Sequence, residues 1–164
     1  MKASTQEKKH FWVRNAQGMA IALMLMAVTS PAFAELGGTV NSIQADQSRM
    51  QAVVQVDEVG AYSVYEMQLS TGTVIREYVS LEGRVFGVAW QGPFIPDLEL
   101  LLGTYFEHYS QSAKAQRKSH VRRQPLHIKE PTLVVETSGH MRAYWGRAFD
   151  PGLLPRGVGM NEIR

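Results

Sequence analysis

Gly139-His140-Met141-Arg142 carries the side chains in this sequence best suited to a site. An imidazole beside a thioether offers ligands to copper, and His108, His120 and His127 are further nitrogen donors. The spacing opposes that chemistry. Adjacent residues of a strand point to opposite faces, and no H-x-x-x-H or related pattern is present. The stretch reads more simply as a hairpin tip at Gly139-His140, where Ser138-Gly139 turns the chain, with Met141 filling the core, so no metal and no cofactor is expected.

Two further clusters set charge beside aromatic rings. Arg76-Glu77-Tyr78 and Arg142-Ala143-Tyr144-Trp145 fall on strand-like segments, where ring faces could stack on a peptide or a glycan. Cross-strand ion pairing and core aromatics account for the same residues with less assumed. If a folded site exists it should involve Arg76, Tyr78, Trp90, His140 and Arg142. Asp97, Glu99 and Glu107 invite a two-carboxylate glycosidase reading, but acids in the first turn of a helix follow from its dipole alone. No serine lies in G-x-S-x-G or S-x-x-K. No residue is therefore assigned a catalytic role.

The remaining candidate is electrostatic. Residues 114–129 hold Lys114, Arg117, Lys118, Arg122, Arg123 and Lys129 with no acid between them. Such a run could meet phosphate on lipopolysaccharide, phospholipid headgroups or an acidic partner. It lacks the aromatic residues that single-stranded nucleic acid would stack on, so nucleic acid is not an expected partner. The plain alternative is a solvated, mobile loop.

These residues need a scaffold, and the clearest one is a meander. Residues 61–69 alternate, 73–79 are β-branched, and 84–90 form a third run, with turn signals at Ser70-Thr71-Gly72 and Leu81-Glu82-Gly83. Simple alternation puts Phe86, Val88 and Trp90 on one face and Val85, Gly87 and Ala89 on the other, the small face open to close approach. Val53, Val54 and Val56 mark an additional strand, and residues 42–50 a short helix capped by Ser42. From Pro96 or Asp97 an amphipathic helix carries Leu98, Leu101, Leu102, Tyr105, Phe106 and Tyr109 on one stripe. Strands at 132–136 and 141–149 form a C-terminal hairpin, and residues 150–164 wrap the surface. The fold class is α+β, an antiparallel sheet with one amphipathic helix.

The first 34 residues read differently. Lys2, Lys8, Lys9 and Arg14 precede an apolar run over 18–28, and Ala32-Phe33-Ala34 is an A-x-A cleavage site. The run falls far short of the ~20 residues that span a bilayer. This is the pattern of a cleaved secretory signal peptide, leaving residues 35–164 as one α+β domain with its basic loop at about 114–129. Taking Lys2, Lys8, Lys9, Arg14 and Glu7 from 17 basic and 15 acidic side chains leaves 13 against 14. The basic character of the whole chain thus belongs partly to the leader and gives no reason to expect nucleic-acid binding by the domain as a whole. There is no cysteine, so the domain is held by packing without disulfides or a lipid anchor on cysteine, and no later segment suits a transmembrane helix.

Several blocks in order resemble a known family. They are Leu36-Gly37-Gly38, Thr73-Val74-Ile75-Arg76-Glu77-Tyr78-Val79 and Val85-Phe86-Gly87-Val88-Ala89-Trp90-Gln91-Gly92-Pro93. Pro96-Asp97-Leu98, Leu102-Gly103-Thr104-Tyr105-Phe106 and Ser138-Gly139-His140-Met141-Arg142 follow. Gly146-Arg147-Ala148, Leu153-Leu154-Pro155, Gly157-Val158 and Ile163-Arg164 complete the series. Together they resemble the exported proteobacterial family catalogued as domain of unknown function 2844. The resemblance implies an exported bacterial protein and brings no catalytic residues with it.

The expectation is an exported, periplasmic, non-enzymatic protein that binds an envelope component or another exported protein, with release from the cell as the other destination. Its binding surface would be the basic run, a free strand edge or the sheet residues above. The alternative is an envelope hydrolase-like domain using His140 with a carboxylate.

Overall fold

The computed structural model describes residues 35–41, 43, 52–119 and 125–164. The signal-peptide expectation for 1–34, most of the short helix expected at 42–50, and Arg122 and Arg123 lie outside the described residues.

Among the described residues seven strands form one antiparallel sheet: β1 (Val53–Val59), β2 (Tyr62–Gln68), β3 (Val74–Ser80), β4 (Val85–Gly92), β5 (Leu126–Lys129), β6 (Val134–His140) and β7 (Ala143–Phe149). Their spatial order is β1-β2-β3-β4-β7-β6-β5. The expected meander is β2 to β4, the strand marked by Val53 is β1, and the hairpin is β6 with β7.

Asp97 starts the helical segment by accepting the backbone N–H of Glu99 and Leu100 on Oδ1, at 3.0 and 3.2 Å. Helix α1 (Leu98–Leu102) tightens into a 3-10 turn at Gly103–Tyr105 and continues as α2 (Phe106–Ser119). Gly103, at φ +48, takes the left-handed backbone at that join.

Three expectations are corrected in the C-terminal half of the chain. Residues 114–119 continue α2 and 126–129 are strand β5, so the basic run is not one loop. The final hairpin turns at Met141-Arg142, with His140 opposite Ala143, rather than at Ser138-Gly139. Met141, at the tip, is 88% exposed and fills no core.

The sheet is apolar on both faces. On one side Met67, Ile75, Val85, Val88 and Trp90 pack with Leu101, Leu102 and Leu36 in a core that Leu98, Tyr105, Phe106 and Tyr109 adjoin. On the other, Tyr62, Tyr78, Phe86, Ala89 and Phe149 form a second cluster with Ile163, and Leu153, Leu154 and Val158 pack against it. The first side is the helix face and the second the tail face.

A bulge sorts these side chains. Tyr78 pairs with Gly87 but Val79 pairs with Val85, so β4 has an extra residue at Phe86. Phe86 is thereby turned to the tail face, its ring 5.8 Å from that of Tyr62. This corrects the simple alternation: Val85, not Phe86, shares a face with Val88 and Trp90. Gly87 remains the small position, because a Cβ there would lie 2.9 Å from Ile163 Cδ1.

The tail is tied down along its length. Asp150 is buried; its Oδ2 accepts the Tyr105 hydroxyl at 2.5 Å and its Oδ1 accepts the Gly152 N–H at 2.7 Å. Arg147 Nη1 donates to the carbonyls of Met160 and Ile163 at 2.8 and 3.0 Å. Tyr78 Oη donates to the Arg164 carbonyl at 2.7 Å and accepts the Arg164 N–H at 2.9 Å. Tyr62 Oη donates to Glu162 at 2.9 Å, and Ile163 is fully buried.

These contacts have measurable consequences. Ile163→Ala should cost about 2–5 kcal/mol in chemical denaturation, since the cavity it leaves is walled by strand backbone and rings. Burial, and then the Asp150 hydrogen bond, push the Tyr105 hydroxyl up to about 12, and Tyr62 and Tyr109 are raised as well. A folded-state value above the unfolded one gives stability that is complete below about pH 10 and is lost as pH climbs towards 12. Denaturation midpoints across that window should fall, and fall less in Tyr105→Phe.

Candidate functional site

β7 divides its side chains between the two faces. Ala148 belongs to the helix-face core, and Trp90, also of that core, stands directly opposite Gly146. A Cβ at Gly146 would overlap Trp90 Cζ2, so the missing side chain is what lets the indole lie across β7. Trp90 is 3% exposed as a result. Trp145 and Arg147 alternate onto the tail face, opposite Gln91 and Ala89 of β4.

Beside the tail's last residues this face opens into a groove of about 310 Å³, bounded by Gln91, Glu136, Trp145, Arg147, Ile163 and Arg164, with Trp90 and Gly146 completing the lining. Arg147 is committed within the fold. Its Nε donates to Glu136 at 2.8 Å and its Nη2 lies 2.7 Å from the same carboxylate, while Nη1 holds the tail. Glu136 is in turn 3.9 Å from His127 Nδ1. The groove thus offers a ligand the indole of Trp145, 44% exposed, beside the exposed Gln91 and Arg164 side chains.

The residues singled out in the sequence are dispersed. Arg76 and Tyr78 lie on the tail face. Arg76 Nε donates to Glu66 at 2.7 Å, and its Nη1 and the Tyr78 hydroxyl both meet the Arg164 carbonyl. Their neighbour Glu77 is fully buried on the opposite side of β3. Trp90 lines the groove but is a core residue. His140 and Arg142 are exposed at the β6–β7 tip, and Lys114, Arg117 and Lys118 are exposed on α2. Among the described residues His140 has no carboxylate within 4.0 Å; the two imidazoles that do, His108 beside Glu130 and His127 beside Glu136, are largely exposed. The Glu130 carboxyl is held below its ordinary value by the Ser112 hydroxyl and then by His108.

A second hollow of about 450 Å³ lies by Glu35, Asp97, Glu99 and Thr104. Of its acids, Asp97 caps α1 and Glu99 is exposed. Glu107, further along, accepts from Gln111 Nε2 at 2.8 Å, one turn away. No three His, Cys, Asp or Glu side chains converge as metal ligands among the described residues, and no helix there is long and apolar enough to cross a membrane.

Arg142 has φ +63, the left-handed region that a residue with a Cβ avoids. Arg142→Gly should therefore raise stability by about 1 kcal/mol, read as a higher urea midpoint. A lower midpoint would mean that the guanidinium makes contacts worth more than the strain.

Residues 32–163 match the family model described as "Protein of unknown function (DUF2844)". No curated protein matches the chain, and no solved structure does.

Proposed function

Because the chain belongs to the DUF2844 family, whose description assigns no activity, we propose a function from the geometry: an exported, non-enzymatic protein of the bacterial periplasm that holds an envelope saccharide against the tail face of its sheet. The observation that carries this reading is the half-exposed Trp145 indole beside Gln91 and Arg164 in a groove of about 310 Å³. An indole face suits the C–H face of a sugar ring, and planar amide and guanidinium groups suit its hydroxyls. The groove also lies mid-sheet, between β4 and β6. A peptide there could not add strand hydrogen bonds, as it could at an edge, and that favours a glycan. Glu136, the carboxylate of the groove, is bound by Arg147, which suits a scaffold role better than proton transfer. Export rests on the leader pattern of residues 1–34. Cleavage after Ala34 would leave Leu36 in place, fully buried and hydrogen-bonded from its N–H to the Leu101 carbonyl at 3.0 Å.

The test is binding of protein recovered from the envelope fraction to purified sacculi and, separately, to lipopolysaccharide. Wild type should be retained by one of them. Trp145→Ala should weaken retention about tenfold or more while its thermal midpoint stays near that of wild type. Trp145 is the more exposed of Trp90 and Trp145, so quenching of indole fluorescence should track binding. Retention by neither material, or equal retention of wild type and Trp145→Ala, would sink the proposal.

A further inference from the structure

Among the described residues, strand β1 is an edge of the sheet. It has seven residues, Val-Val-Gln-Val-Asp-Glu-Val, and three of its valines are exposed: Val53 by 70%, Val56 by 51% and Val59 by 45%. It contains neither proline nor lysine, the residues with which proteins usually blunt such an edge.

The direction of its free backbone groups follows from the hairpin. Val59 and Tyr62 close a two-residue loop, Gly60-Ala61, with Gly60 at φ +58. The closing pair of such a loop exchanges hydrogen bonds, and bonded and non-bonded pairs alternate from there. Val53, Gln55, Asp57 and Val59 therefore turn their N–H and C=O towards β2. Val54, Val56 and Glu58 turn theirs outward.

We propose that this edge pairs with a second copy of itself, β1 antiparallel to β1 about a two-fold axis through Val56 and normal to the sheet. The sequence of the strand is what selects this occupant. Centred on Val56, Val53 faces the partner copy's Val59 and Val56 faces Val56, which covers all three exposed valines. Asp57 comes opposite Gln55 and Glu58 opposite Val54, so no two acids are directly opposed. The outward groups of Val54, Val56 and Glu58 then meet their own kind in register. A two-residue shift that centres on Asp57 sets carboxylate against carboxylate, and one that centres on Gln55 places Val53 against Asp57. A C2 contact needs a self-complementary patch, and β1 is one only in the Val56 register.

The natural chain has no cysteine, so single cysteines report the register directly. The full chain, leader included, would be expressed and purified as the cell leaves it, then treated with a short bismaleimide. Val56→Cys should yield a covalent dimer, whereas Leu81→Cys, exposed in the β3–β4 turn, should not. Val53→Cys alone should give little, since the two copies of residue 53 would be about 20 Å apart along the strand. Mixed with Val59→Cys it should cross-link readily. In sedimentation, wild type should be a dimer, and Val56→Lys should raise the dimer dissociation constant about tenfold or more while its circular dichroism spectrum stays that of the folded protein. Cross-linking of the Val56→Cys chain no faster than the Leu81→Cys chain, capture of a different protein by the Val56→Cys chain, or a wild type that sediments as a monomer at tens of micromolar would each overturn the proposal.

Discussion

The structure depends on the seating of Ile163. A sheet apolar on both faces must be covered twice, and here the helical segment covers only one side. The other is closed by residues 150–164, which have no strand pairing with the sheet. Burying Ile163 contributes about 1.5–3 kcal/mol, too little alone to order a segment of that length. The remainder comes from polar groups aimed at the tail's carbonyls. Arg147 and Arg76 are each oriented by a carboxylate on a neighbouring strand, Glu136 at 2.7 Å and Glu66 at 2.7 Å, and each guanidinium has a further N–H that reaches the tail. Partly exposed ion pairs of this kind add about 0–1 kcal/mol in themselves. Their larger effect is to fix the forks that satisfy backbone acceptors which strand pairing does not.

That constraint reorders the meaning of the charged residues. Arg76 and Tyr78 have the chemistry of ligand-binding groups and are used on the chain's own Arg164. The row Glu66, Arg76, Ala89, Arg147, Glu136 runs across five strands of the tail face. The next row, Gln68, Val74, Gln91, Trp145, Ser138, lies beyond the clamp. The groove forms at that boundary, as the part of an apolar sheet face that the tail leaves open.

Much of the architecture was legible because it rests on local pattern. Period-two alternation and short turns at Ser70-Thr71-Gly72 and Leu81-Glu82-Gly83 were enough for the meander, and Asp97 before a leucine stripe was enough for the helix start. What was not legible depends on a single insertion or on distant contacts. The bulge at Phe86 shifts that ring to the other face, and nothing in a string of alternating apolar residues marks which of them is extra. The turn at Met141-Arg142 was hidden behind Gly139, which has a positive φ of +152 that favours glycine but pairs with Tyr144 inside β6 rather than turning the chain. For the site, the legible clue was the aromatic and basic content of β7. Trp145 falls to the tail face and Tyr144 to the other, but the open side could be chosen only once the tail's course was known.

Edge and groove are linked by symmetry. A two-fold axis normal to the sheet keeps each face on its own side, so pairing through β1 would extend the sheet with both tail faces in one direction. Two Trp145 grooves would then look the same way, at fixed spacing on one rigid surface. On the saccharide reading, a shallow groove of about 310 Å³ would give a single sugar ring modest affinity. Envelope glycans are repeating polymers, and two co-facing sites on one such polymer gain effective concentration without a new contact. An edge strand of valines that no other described strand pairs, and a groove too small to bind tightly alone, would thus be met by the same assembly.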